Sequence, residues 1–142
     1  MKKYLLITSL LILLLLVGCS TKDRGQIKGA DAAPDAVPDP VGTYAVNGFD
    51  PLGTEYGGTL TIQPGNAPGE FALQWILTGS IQEGAGRLEG NQLLATWRVV
   101  EAMGARSTGV TTYTITTLGE LHGLRQVTGY PTPGTENAFP NQ

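Results

Sequence analysis

From residue 41 onward, apolar and polar positions alternate with a period of two. In EFALQWIL (70–77), Phe71, Leu73, Trp75 and Leu77 share one face, and Glu70, Ala72, Gln74 and then Thr78 mostly take the other. In GGTLTIQ (57–63), Leu60 and Ile62 oppose Thr59, Thr61 and Gln63. In GVTTYTITT (109–117), Tyr113 and Ile115 oppose Thr112, Thr114 and Thr116. An apolar face backed by a polar one is the pattern of an antiparallel sheet with one side in water. Alternation, β-branched content and bounding turn residues predict further strands at 42–49, 80–88, 92–100 and 120–127.

The connectors fit a meander. Glu89-Gly90-Asn91 and Leu118-Gly119 read as tight hairpins, and Pro64 to Gly69 as a longer turn. No stretch of the domain has both the length and the 3.6-residue period of an amphipathic helix; Val100 to Ser107, interrupted by Gly104, reads as a loop. The expected fold is all-β: an up-and-down antiparallel meander of about seven to eight strands. A small closed barrel is favoured over a two-sheet sandwich because closure removes the edges. Gly84, Gly86 and Gly123 inside strands suit a strongly curved sheet. A barrel of this size is either filled by side chains or wide enough for one small ligand. The domain is expected to span 41–130, with 131–142 (PTPGTENAFPNQ) as a flexible C-terminal tail.

The N-terminus follows a different pattern. Lys2 and Lys3 precede an apolar run from Tyr4 to Val17. As a helix these fourteen residues would reach about 21 Å, short of a bilayer core of about 30 Å. A cationic start, a short apolar run and small residues at its end describe a signal peptide, here 1–18. Leu16-Val17-Gly18-Cys19 resembles a bacterial lipobox. The resemblance implies a diacylglyceryl group on the Cys19 thiol and cleavage after Gly18. Two or three acyl chains, at roughly 0.8 kcal/mol per buried methylene, hold a protein where one chain does not. Ser20 stands where an Asp would resemble an inner-membrane retention signal. The expected location is therefore the cell envelope, and the outer membrane if the source has two.

Residues 19–40 are then the lipidated cysteine and a linker. Asp31, Asp35 and Asp39 interleave with Pro34, Pro38 and Pro40. The prolines forbid the helix that would align the carboxylates, and the spacing lacks the alternate ligands of a calcium loop. An extended, self-repelling spacer is expected, and its 21 residues after Cys19 would reach about 70 Å when stretched.

Composition narrows the function. The chain has 142 residues, 20 Gly, 9 Pro and a formal net charge of -3, which moves to -5 when Lys2 and Lys3 leave with the signal peptide. That balance excludes a general nucleic-acid binder. One Cys and one His exclude an internal disulfide and a metal site built from several such ligands, and no cofactor is indicated.

The series Gly42-Thr43-Tyr44, Gly58-Thr59-Leu60-Thr61-Ile62, Leu73-Gln74-Trp75, Gly90 to Trp97 and Gly109-Val110 before Tyr113 resembles small bacterial secreted domains of the calycin-like kind, in the neighbourhood of avidins and lipocalins. The resemblance covers 42 to about 127 and speaks for fold. The full biotin-contacting set of avidins is not found, and lipocalin disulfides are impossible with a single Cys, so neither biotin nor retinoid binding is carried over.

No catalytic constellation is expected. His122 has no Gly-x-Ser-x-Gly elbow beside it, and the acidic residues considered as glycosidase pairs (Asp50, Glu55, Glu70, Glu83, Glu89, Glu101, Glu120) lie mostly at strand ends and loops. Binding is the expected function. Tyr44, Trp75, Trp97 and Tyr113 fall on one side of the sheet, as core or as pocket lining. Arg98 and Arg125, near strand ends, are candidates to close a barrel mouth or pair with an acidic ligand. Two expectations follow: a module for a small apolar ligand, or an interaction protein of the envelope such as an adhesin, an assembly partner or an inhibitor of a lytic enzyme. Small lipoprotein barrels that inhibit lysozyme commonly carry a disulfide that this domain cannot form.

Overall fold

The computed structural model describes residues 28–104 and 106–141. Eight antiparallel strands run in chain order: β1 (Gly42–Phe49), β2 (Glu55–Pro64), β3 (Glu70–Leu77), β4 (Ser80–Glu89), β5 (Gln92–Ala102), β6 (Thr108–Ile115), β7 (Leu121–Val127) and β8 (Gly134–Pro140). Each pairs with the next, and β8 returns to β1 to close a barrel. The predicted alternation points inward as expected: Tyr44 and Val46, Leu60 and Ile62, Leu73 and Trp75, Leu93 to Val99 at every second position, and Tyr113 and Ile115 make the core. The β3–β4 and β4–β5 hairpins turn on Gly79 (φ 80°) and Gly90 (φ 57°), a left-handed backbone that favours glycine.

Two expectations at the ends of the domain are overturned. Residues 131–142 are not a tail, because 134–140 form β8, the strand that closes the barrel. Its buried residues are Gly134, Glu136 and Ala138, so it shows none of the large apolar alternation that marks the other strands. The linker is also shorter than expected. From Gly29 to Pro40 the chain lies across one end of the barrel as a strap. Asp31 bridges to Thr116, Ala32 is buried, and Ala32 N donates to Ile115 O at 2.9 Å. Thr117 N donates to Ala30 O at 2.7 Å, and Asn91 Nδ2 to Ala32 O at 2.8 Å. Val37 packs on the core and Tyr44 Oη donates to Pro40 O at 2.8 Å. The strap is held by backbone bonds, which composition does not reveal. It stoppers the end formed by the β2–β3, β4–β5 and β6–β7 turns and leaves the opposite end open. Cys19 and the apolar N-terminal run lie outside the described residues.

Candidate functional site

The middle of the barrel holds a polar layer built around Glu136. The register places Tyr113 opposite Gly123, Gly123 opposite Glu136, Glu136 opposite Gly48 and Gly48 opposite Tyr56. The two glycines leave room for the tyrosine rings to lean across them onto the carboxylate. A Cβ at Gly123 would stand 2.6 Å from Tyr113 Cδ1. The same device seats Trp97 over Gly109, where a Cβ would lie 2.5 Å from Cζ2.

Glu136 is fully buried and saturated with donors. Tyr56 Oη donates at 2.7 Å and Trp75 Nε1 at 2.9 Å. The Tyr113 hydroxyl also donates, and Arg125 Nη1 reaches both oxygens at 3.2 and 3.0 Å. Arg125 itself lies 4.1 Å from the Trp97 ring centre and 5.2 Å from that of Trp75, and its Nη2 donates to Gln82 Oε1. Burial first, and then the charge of Glu136, raise both tyrosines above the usual phenol range, against an opposing pull from Arg125. Their hydroxyls stay protonated and keep donating.

Above this layer, at the open end, is a cup of about 390 Å³, within the size range of small-molecule sites. Leu52, Tyr56, Leu77, Val127 and Tyr130 supply apolar wall; Ser80, Ser107 and Thr128 supply hydroxyls at the sides. Gln82 and Trp97 belong to both the cup and the layer beneath it. The buried Trp97 Nε1 meets no acceptor among the described residues. Gln82 Nε2 donates to Ser80 Oγ at 3.1 Å, which continues the hydrogen-bond chain from Glu136 through Arg125 to the lip. Phe49, Leu52, Ile76, Met103 and Tyr130 stand exposed around this end.

Of the residues expected to line a pocket, Trp75, Trp97, Tyr113 and Arg125 come together in the layer. Only Trp97 borders the cup. Tyr44 sits at the strapped end, where burial and then the Asp39 charge push its hydroxyl up to about 12. Arg98 is not in the site at all. Period-two alternation sends it outward next to inward Trp97, and its side chain is 70% exposed, 3.8 Å from Glu83. Tyr56, Gln82 and Glu136 were not anticipated. Tyr56 and Gln82 are inward by alternation within β2 and β4. Glu136 sits in a strand that carries no apolar signal.

A wider groove of about 680 Å³ runs over the outer wall of β3 to β6, past Ala72, Ala85, Thr96 and Val110. Asn66, Glu70, Arg87, Thr96 and Thr112 supply its polar groups, and it lies on the outside of the barrel, away from the Glu136 layer. The single histidine lies outside the barrel near the strapped end, with Nδ1 2.9 Å from Asn137 Oδ1 and Nε2 3.3 Å from Glu120 Oε2. Among the described residues no three His, Cys, Asp or Glu side chains are grouped to hold a metal. No protein-family model matches the chain and no curated protein matches it, which leaves the geometry of the cup to speak for function.

Proposed function

We propose that this is a lipid-anchored envelope protein whose barrel binds a small, uncharged, amphipathic molecule in the open-end cup. The observation that carries the reading is the cup's make-up: an apolar wall over a polar floor whose buried charges are paired, with Asp50 the one carboxylate in the lining without a cationic partner among the described residues. Arg125 is already neutralised by Glu136. The carboxylate of Asp50 is engaged by Leu52 N and Thr54 N, both at 2.8 Å. What remains for a ligand is hydroxyls and the Gln82 amide, which suit the polar groups of a neutral molecule. The exposed apolar ring at the mouth suits its hydrocarbon part. The reading is of binding rather than catalysis, because the lone imidazole is committed to Glu120 and Asn137 at the other end of the barrel. The anchor is the lipidated Cys19, and the outer membrane is its expected place in a cell with two membranes.

The test is native mass spectrometry of the chain extracted from its own envelope. A small co-purifying mass, absent from a Ser80→Trp variant that plugs the cup from its lip, is the expected result. A co-purifying protein with no small mass would instead favour an interaction protein using the outer groove, where Val110 stands exposed. For the anchor, Cys19→Ala should move the protein from the detergent to the aqueous phase on Triton X-114 partitioning.

A further inference from the structure

Anchoring and binding occupy opposite poles of the barrel. From this we infer that the cup opens away from the membrane holding the lipid and takes its ligand from the aqueous side rather than from the anchoring leaflet. The inference deepens the reading above and rests on it.

The strap fixes where the chain arrives. Gly29 N donates to Glu120 Oε2 at 2.8 Å and packs on Leu118, so Lys28 enters at the β6–β7 turn of the stoppered end. Nine residues, Cys19 to Ile27, separate the lipid from that point, and they reach at most about 32 Å. Strands of eight residues at the usual tilt make a wall about 20 Å tall, and the loops add to it. Bringing the mouth to the lipid surface would require those residues to run back along the whole wall, about two thirds of their full reach before the loops are added. With the stoppered end toward the membrane, no such stretching is needed.

The experiment uses the natively lipidated full chain in vesicles of phosphatidylethanolamine and phosphatidylglycerol with a rhodamine-labelled lipid acceptor. Cys19 is the chain's single cysteine, and lipidation consumes its thiol. A donor dye can therefore be placed on one introduced thiol: Asn66→Cys in the β2–β3 turn of the stoppered end, or Met103→Cys at the mouth, where Met103 is 97% exposed. Energy transfer should be about twofold or more higher from position 66, given poles some 20 Å apart. Equal transfer, or higher transfer from position 103, overturns the inference and means that the apolar rim dips into lipid. A chain that does not join the vesicles at all refutes the anchoring reading and this inference with it, a result distinct from a reversed transfer ratio.

Discussion

Arg125 is held by three kinds of contact at once: a charge on Glu136, an amide oxygen on Gln82, and the faces of Trp97 and Trp75. The desolvation of such a pair is recovered only while both partners are present. Arg125→Met keeps most of the volume between the indoles and strands the Glu136 charge, so it should cost about 3–5 kcal/mol of unfolding free energy. Adding Glu136→Gln removes the stranded charge and should restore a large part of that loss. Urea denaturation of the single and double variants checks both points, and additive losses would show that the pair is not coupled. The sequence displays the aromatic half of this layer openly, since Trp75, Trp97 and Tyr113 fall on the inward phase of well-patterned strands. The carboxylate they converge on is not legible, because a single Glu between Thr135 and Asn137 has no neighbouring apolar phase to place it. Arg98 is the converse case. Its position beside Trp97 already assigns it to the outer wall, and closeness to a strand end is a weaker signal than phase.

At the scale of elements, seven strands are legible to within about two residues, because their inward positions carry large apolar side chains and their turns carry glycine. The eighth strand and the strap are not. Both are held through backbone pairing with neighbours far along the chain, a contribution that local composition does not encode. The strap nevertheless has a side-chain lock. Glu120 Oε2 accepts from Gly29 N at 2.8 Å and from Thr116 Oγ1 at 3.1 Å, with His122 Nε2 at 3.3 Å. Burial pulls its pKa up, but the bonds from Gly29, His122 and Thr116 outweigh burial and hold it below 4.5. A carboxylate lowered in the folded state stabilises the fold above its unfolded pKa, and that contribution is lost as pH falls through the folded value. The strap should therefore loosen on acidification below about pH 4.5, while the barrel strands keep their pairing. The amide resonance of Gly29 should report this by moving upfield as its bond is lost. Glu120→Gln should show a weakened Gly29 bond already at neutral pH and no such titration.

Three tyrosines tie the whole molecule together, one at each level of the barrel. Tyr44 closes the strapped end against Pro40, Tyr113 lies in the central layer, and Tyr56 joins that layer to the cup. All three are raised above the ordinary phenol value of 10.0 chiefly by burial: Tyr44 to about 12, and Tyr56 and Tyr113 well above the phenol range. The sign of the linkage follows from proton counts. Above pH 10 the unfolded chain releases these protons and the folded barrel keeps them, so stability falls as pH rises, by about 1.4 kcal/mol per unit for each tyrosine. The losses add across the three, against a typical domain stability of about 5–15 kcal/mol. The buried phenols should therefore not titrate one by one in an intact barrel. Their tyrosinate absorbance at 295 nm should rise in the same steep step in which the far-ultraviolet β signal collapses, between about pH 11 and 12. Tyr44→Phe removes one of the three linked protons, along with the bond to Pro40. It should make the alkaline step shallower even where it lowers stability at neutral pH. The slope rather than the midpoint is the diagnostic quantity, because lost packing shifts the midpoint without changing how many protons the unfolding releases. A gradual rise in absorbance from these tyrosines while the β signal persists would mean that their hydroxyls reach water in the folded barrel, and that the central layer is open rather than sealed beneath the cup.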